Sequence, residues 1–134
     1  MANQQGNFGF RPVQMNGSAY NGQGQSEYTI ASGEVSPMFQ GDPVILVANG
    51  AIDIGSTAGA ELIGIFNGCF YTDPTTSKPT FSNSYPGGIA ASDIKAFVID
   101  DPNVIFEVKI DDANGGQAQV GTNCNIATYS AGSS

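Results

Sequence analysis

The sequence predicts an all-β fold: a compact antiparallel β-sandwich or small β-barrel, preceded by an extended N-terminal arm. The chain is a series of short runs of strand-forming residues, separated by Gly, Asn-Gly and Asp-Pro turn signals at the spacing typical of such folds. No long segment carries an apolar stripe of helical period. A length of 134 residues matches one domain with a single core.

Residues 1–25 are predicted to be the arm, and residues 26–134 a single β domain. The arm is rich in Gly, Asn and Gln, which do not build a core, and Gly and Pro recur too often for a helix. It also carries Phe8, Phe10 and Val13, which are more apolar groups than a solvated tail usually has. We therefore expect an arm that lies along a partner surface, and a disordered tail is the alternative.

The first strands of the domain are predicted around Tyr28 and at residues 44–47. Asn49-Gly50 follows the second of these, and this pair tolerates the positive φ angles of a type I′ hairpin turn. Residues 51–54 would then return antiparallel to residues 44–47.

A long strand is predicted at residues 62–71. Simple alternation places Phe66 and Phe70 on one face and Cys69 and Tyr71 on the other, so both faces are apolar. Each face is therefore buried in the core or in a subunit contact. Residues assigned to core or subunit contact are Phe66, Phe70, Tyr71 and Tyr85.

The glycines of this strand, Gly64 and Gly68, predict a bulge or the close approach of another backbone. Residues 72–92, rich in Thr, Ser and Pro, are predicted to be a long loop that serves as a contact surface. A second hairpin is predicted between residues 94–100 and 104–110. Residues 117–129 are expected to supply a last strand pair.

The charge balance argues against nucleic-acid and membrane partners. Four Lys and Arg residues face 12 Asp and Glu residues, for a formal net charge of −8. A nucleic-acid binder needs several cations to displace counterions from phosphates, and an anionic membrane would repel this chain. No apolar run approaches the ~20 residues of a membrane span, and the first residues do not resemble a signal peptide. We expect a protein made in a cytoplasm that stays in solution.

Residue types that serve most catalytic and metal sites are scarce. The chain has no His and two Cys, Cys69 and Cys124, so neither a zinc site nor a Cys–His nucleophile is expected. The acid pairs at residues 100–101 and 111–112 are placed at turns and do not match a calcium-loop spacing. We predict no catalytic residue, no metal site and no cofactor. Cys69 is expected to be buried, and a disulfide between the two cysteines stays open for an oxidising medium.

Several motifs resemble those of small virion structural proteins of tailed bacteriophages, many of them from marine phages. The resemblance covers nearly the whole chain except its C-terminal end, and its motifs are structural in character. They are F-G-F-R-P-V at residues 8–13, G-D-P-V at 41–44, I-G-I-F-N-G-C-F-Y at 63–71, Lys78-Pro79, Tyr85-Pro86, and A-F-V-I-D-D-P at 96–102.

What the resemblance implies is a non-enzymatic capsid decoration, or cement, protein on the outer surface of the phage head. It would bind the major capsid protein and bridge neighbouring subunits, and its acidic charge suits the face away from packaged DNA. A homotrimer is expected, with a dimer as the alternative. The residues assigned to the capsid-binding arm are Phe8, Phe10, Arg11, Pro12 and Val13.

Two other functions stay open. One is a virion-displayed binding module, tail- or fibre-associated, that contacts a host receptor or glycan through residues 72–92. The other is a non-viral β domain that assembles with itself. Loss of adsorption when the protein is deleted would indicate the binding module, and fragile heads would indicate the decoration protein. Stable oligomers without a capsid would indicate the self-assembling β domain.

Overall fold

A computed structural model describes residues 8–16, 24–109, 116–124 and 126 of the chain. Within these ranges the protein has ten strands, one 3₁₀ helix and no α-helix. Every strand ladder is antiparallel, which confirms the all-β prediction. The strands are β1 (Arg11–Met15), β2 (Gln25–Thr29), β3 (Met38–Phe39), β4 (Pro43–Leu46), β5 (Ile52–Ile54), β6 (Leu62–Thr72), β7 (Pro79–Ser82), β8 (Ser84–Tyr85), β9 (Lys95–Ile99) and β10 (Val104–Glu107).

The main sheet has the strand order β2-β9-β6-β4-β5, with β7 as a sixth strand on β6. Strand β6 is 11 residues long. Its length lets one edge pair with β9 while the other pairs with β4 near its start and β7 near its end. An isolated parallel bridge links Thr29, at the end of β2, with Ala51, directly before β5, and so brings the two outer strands of the sheet together. The sheet is therefore curled, but no closed barrel forms among the strands described.

The core lies on the inner face of this curled sheet. Met38 and Tyr85, from the two-stranded β3–β8 pair, are fully buried in the same cluster as the sheet residues. The burial of Cys69, which is 1% exposed, was predicted correctly. Sheet and loop residues of the cluster include Ile30, Val44, Ile52, Phe66, Cys69, Tyr71, Ile94, Ala96 and Val98.

A β-bulge in β6 changes which residues share a face. The register with β9 slips between Phe66 and Gly68, so the alternation of side chains restarts beyond that point. Phe66 and Tyr71 are consequently both buried in the core, whereas Phe70 lies on the outer face. The prediction that Phe66 and Phe70 share a face was wrong for this reason.

The bulge or close backbone approach predicted at the two glycines of β6 is confirmed at both positions. Gly68 lies at the bulge with φ +150, and a Cβ there would stand 3.0 Å from the carbonyl oxygen of Ser82. At Gly64 a Cβ would overlap the carbonyl oxygen of Ile99, and the register with β4 also slips beside this residue. Both positions combine a bulge with close approach of a neighbouring backbone.

The predicted hairpin of residues 44–47 and 51–54 is present, but its turn differs. Val47 and Gly50 close the turn with a 2.9 Å hydrogen bond, and the Val47 amide donates to the Ala51 carbonyl. Gly50 has φ +80 while Asn49 has no positive φ. The connection is thus a three-residue loop ending in a left-handed glycine, and the type I′ prediction was wrong.

The predicted second hairpin does not form. A turn is present, in which the amides of Asn103 and Val104 donate to the side chain and the carbonyl of Asp101. However, β9 already pairs with β2 on one edge and β6 on the other. No edge remains for β10, which pairs with β1 instead.

Two further segments differ from expectation. Residues 72–92 are not a structureless loop, because they contain β7 and β8. The expected C-terminal strand pair is also wrong where the structure describes it: residues 117–119 form a 3₁₀ turn, and residues 120–124 and 126 are not in a strand. The rest of that predicted pair, and Ile110 at the end of the predicted second hairpin, lie outside the described residues.

Candidate functional site

Part of the predicted arm is a strand that pairs within its own chain. Strands β1 and β10 form a two-stranded ladder, which we call the N-terminal ribbon. Its register runs from Arg11 opposite Glu107 to Met15 opposite Val104, and the amide of Asn16 extends it by donating to Asn103. No other described strand joins this ribbon. An isolated two-stranded ribbon is only marginally stable in water, so its surroundings matter.

The chain entering the ribbon is held against the turn between β3 and β4. The Phe10 amide donates a 2.8 Å hydrogen bond to the carbonyl oxygen of Gly41. Gly9 touches the same carbonyl so closely that a Cβ would not fit. The ring of Phe10 also meets that of Phe106 edge to face, with centroids 6.2 Å apart. These contacts fix one end of the ribbon to the domain.

Charged contacts on the ribbon are at its surface. Arg11 Nη2 donates to Glu107 Oε2 at 2.6 Å, and the guanidinium lies 5.0 Å from the centre of the Phe8 ring. Both partners of the ion pair are about half-exposed, so solvent screens the attraction. The pair orients the ribbon more than it stabilises it.

The ribbon exposes apolar side chains along its length. Val13 is 53% exposed, and Ile105 and Val108, which directly follows β10, are exposed to a similar degree. A shallow pocket of about 210 Å³ lies beside Val13 and Met15. Of the five residues predicted to form the anchor, Phe8, Arg11, Pro12 and Val13 are exposed and Phe10 is partly buried.

A second pocket, of about 290 Å³, lies between the chain leading into β1 and the main sheet. Phe8 and Phe10 line it on one side, and Ile65 and Ile99 line it on the other. Both isoleucines are buried although they do not belong to the inner core cluster. The arm therefore covers this part of the outer face of the sheet.

A separate aromatic surface lies further along the same outer face, across β7, β6, β9 and β2. Phe70 and Phe81 pair across β6 and β7 with ring centroids 4.7 Å apart. Phe70 faces Lys95 on β9, and Phe97 of that strand faces Glu27 on β2. We call this set the outer-face patch: Glu27, Phe70, Phe81, Lys95 and Phe97.

Glu27, Phe81, Lys95 and Phe97 of this patch were not among the predicted site residues, and the most exposed aromatic of them is Phe81. Phe81 is 74% exposed, and it lies in the segment that was predicted to be a loop. The alternation Pro79-Thr80-Phe81-Ser82 after the polar turn at residues 73–78 was the signal that could have identified a short strand. Of the residues predicted to serve core or subunit contact, Phe66, Tyr71 and Tyr85 are buried, and only Phe70 reaches this patch.

A row of three amides lies between the arm and the patch. Gln40 Nε2 donates to Asn67 Oδ1 at 2.9 Å, and Asn67 Nδ2 donates to Gln25 Oε1 at 2.7 Å. These hydrogen bonds connect the β3–β4 turn to β6 and β2. They lie between the part of the outer face that the arm covers and the part that carries the patch.

The acid pair at residues 100–101 has structural partners. Asp100 accepts hydrogen bonds from the hydroxyls of Ser26 and Tyr28, at 2.9 and 2.8 Å. The bond to Asp100 raises the pKa of Tyr28 because it stabilises the protonated phenol. Asp101 accepts from the amide of Asn103 within the turn. The second pair, Asp111 and Asp112, lies outside the described residues.

Neither a metal-ligating cluster nor a membrane-spanning helix is present in the described ranges. In residues 8–16, 24–109, 116–124 and 126, no three His, Cys, Asp or Glu side chains are grouped to hold a metal ion. The same ranges contain no helix long and apolar enough to cross a membrane. Both thiols are free, with Cys69 buried and Cys124 exposed.

Comparison of the chain with protein-family models, with curated proteins and with solved structures finds no match.

Proposed function

We propose that this chain is a non-enzymatic virion structural protein that decorates the outer surface of a phage head. It binds the major capsid protein through the N-terminal ribbon and bridges neighbouring capsid subunits. The motif resemblance over residues 8–102 supports the family, and the ribbon supports the mode of binding. The virion surface is the proposed location, and the major capsid protein and further copies of the chain are the proposed partners.

The observation that carries this proposal is the exposed apolar ribbon. A two-stranded ladder outside the main sheet, with Val13, Ile105 and Val108 exposed, gains stability when a partner covers it. Its free strand edges also offer backbone groups for strand addition, a common way to bind an extended surface. Ribbon and partner would then stabilise each other across a subunit joint.

Charge supports the outer side of the shell. A chain with net charge −8 is repelled by packaged DNA. Two of its four cations, Arg11 and Lys95, are also engaged in ion pairs with Glu107 and Glu27. Contact with the outer face of the capsid carries no such penalty.

The test is binding of the purified protein to expanded, undecorated heads, with Val13→Asp as the variant. A charge at this exposed position leaves the fold intact but opposes burial against a partner. Since burying a valine is worth about 1.5–3 kcal/mol, we expect head binding to weaken by roughly tenfold or more. Val35→Asp is the matched control, because Val35 is 78% exposed on a loop away from the ribbon and should keep full binding.

Deletion of residues 1–25 is a less clean test. It would remove β1 from β10 and Phe10 from Phe106, so it exposes the partner strand as well as deleting the anchor. Equal binding by the Val13→Asp and Val35→Asp variants would contradict the ribbon as anchor. Binding to host cells without binding to heads would favour the attachment-module alternative.

A further inference from the structure

The outer face of the main sheet is covered over only part of its area. Phe8 and Phe10 of the arm cover Ile65 and Ile99, and the amide row of Gln40, Asn67 and Gln25 lies beside them. Beyond that row, on the outer-face patch, Phe81 is 74% exposed and Phe70 and Phe97 are partly exposed. Single exposed apolar residues are ordinary, but clustered aromatics on one face mark an interaction surface.

The charges on the patch indicate which kind of partner it can bind. Lys95 and Glu27 are both about half-exposed, and their side chains are 3.3 Å apart. The patch therefore carries one positive and one negative charge beside its aromatics, while the chain as a whole has net charge −8. Two copies of so acidic a chain repel each other over most orientations, but not where they meet through a locally neutral face.

A patch with adjacent opposite charges is also complementary to itself. In a two-fold interface both copies use the same surface. If one residue of the first copy contacts a second residue of the other copy, the reverse contact forms as well. Turning one copy over places its Lys95 toward Glu27 of the other, and the pair forms twice. Phe97, which is two residues from Lys95 and opposite Glu27, then lies close to the two-fold axis, and Phe70 and Phe81 extend the apolar contact toward the β7 edge.

We propose that the outer-face patch is the self-association surface of this protein, and that two copies join through it as a two-fold dimer. This inference does not rest on the proposed function, because it concerns the purified chain without heads. It selects the dimer over the expected trimer, since a trimer needs two different surfaces on each copy. It also leaves the N-terminal ribbon free for another partner.

The size of the patch sets the expected strength. Four strands at ~4.8 Å spacing make a surface about 15–20 Å across, or roughly 200–400 Å². This area is smaller than the ~800 Å² per partner of a standard interface. We therefore expect a dimer that dissociates at micromolar or higher concentration. Display of many copies on one surface would raise the local concentration and favour pairing.

The test is sedimentation of the full chain over a concentration series up to roughly 1 mM, a range suited to a small interface. We expect a monomer–dimer equilibrium for the natural sequence. Phe81→Asp should remain monomeric throughout, because it replaces the most exposed aromatic side chain of the patch with a charge. Val35→Asp, which adds the same charge to another exposed site, should dimerise like the natural chain.

A charge exchange makes the test specific for two-fold pairing. Lys95→Glu should weaken dimerisation by at least about tenfold, since like charges then face each other across the dimer. Adding Glu27→Lys should restore dimerisation to within a few-fold. Circular dichroism and melting temperature check that each variant is folded.

Three results would overturn the proposal: a natural chain that stays monomeric at the highest concentration, a trimer, or a dimer that Phe81→Asp leaves unchanged. Head binding that fails with Phe81→Asp, while the free protein is monomeric, would assign the patch to the capsid instead. Failure of the ribbon test with a retained dimer would contradict the proposed function and leave this inference standing.

Discussion

The backbones of Gly9 and Gly41 are in direct contact, and this contact joins the arm to the turn between β3 and β4. The Phe10 amide donates to the Gly41 carbonyl at 2.8 Å, and a Cβ on Gly9 would overlap that carbonyl. Only glycine permits this approach, which is the point where the N-terminal ribbon is joined to the domain. The ribbon is thus held by a contact that one methyl group can break.

Gly9→Ala should loosen the ribbon. The added methyl meets backbone atoms that cannot move aside, at a cost of about 1–3 kcal/mol. Amide hydrogen exchange in β1 and β10 should rise, because Phe10 loses its hydrogen bond and its contact with Phe106. Exchange in β6 and β9 should stay slow, since the inner core does not depend on the arm.

Gly33→Ala is the matched control for this prediction. Gly33 has φ +77 and open space around its Cβ position, so alanine there adds local backbone strain without meeting a neighbour. It should lower the melting temperature without changing exchange in the ribbon. Equal exchange in the ribbon for both variants would contradict the role given to Gly9.

Tyr85→Phe should destabilise the core measurably. The buried Tyr85 hydroxyl donates to the carbonyl of Glu34 at 2.8 Å and accepts from the amide of Ile89 at 3.3 Å. Removing it leaves the Ile89 amide without this acceptor, while the Glu34 carbonyl keeps the hydrogen bond from the Gly88 amide. We expect a cost of about 1–3 kcal/mol, measurable by urea unfolding at neutral pH. Tyr28→Phe is the control, because its hydroxyl bonds to Asp100 at a partly exposed site. We expect a smaller loss there, and a reversed order would contradict this account.

Cys69 should make stability fall with pH in the alkaline range. Burial raises the pKa of its thiol from the ordinary value of 9.0 to about 11. The unfolded chain therefore ionises first, and the stabilisation present below pH 9.0 is lost as the pH rises toward 11.

The test compares the natural chain with Cys69→Ala by urea unfolding at several pH values. Alanine leaves a small cavity and lowers stability at neutral pH, but this difference should shrink between pH 9 and 11. Burial raises the pKa values of Tyr71 and Tyr85 in both proteins, and the charge on Cys69 raises them further in the natural chain alone. A difference that stays constant over this range would show that the thiol does not contribute.

The anchor and contact residues could be predicted only in part, because their positions depend on pairing between strands that are distant in sequence. The apolar content of residues 8–13 marked them as a contact segment, yet nothing local indicates that β1 pairs with β10. Phe81 was missed because a short edge strand in a Thr-, Ser- and Pro-rich segment has too few residues for alternation to be recognised. Both features depend on residues far apart in sequence.

The sequence by itself determined the all-β class, the long strand at residues 62–71, the hairpin that follows Pro43 and the burial of Cys69. Alternation and turn residues specify these features because they act between near neighbours. The tertiary structure decided which strands pair and which faces are exposed. Strand β9 has two edges and both are taken, so β10 pairs elsewhere, and one bulge before Gly68 turns Phe70 outward. The candidate surfaces exist only after these non-local pairings form.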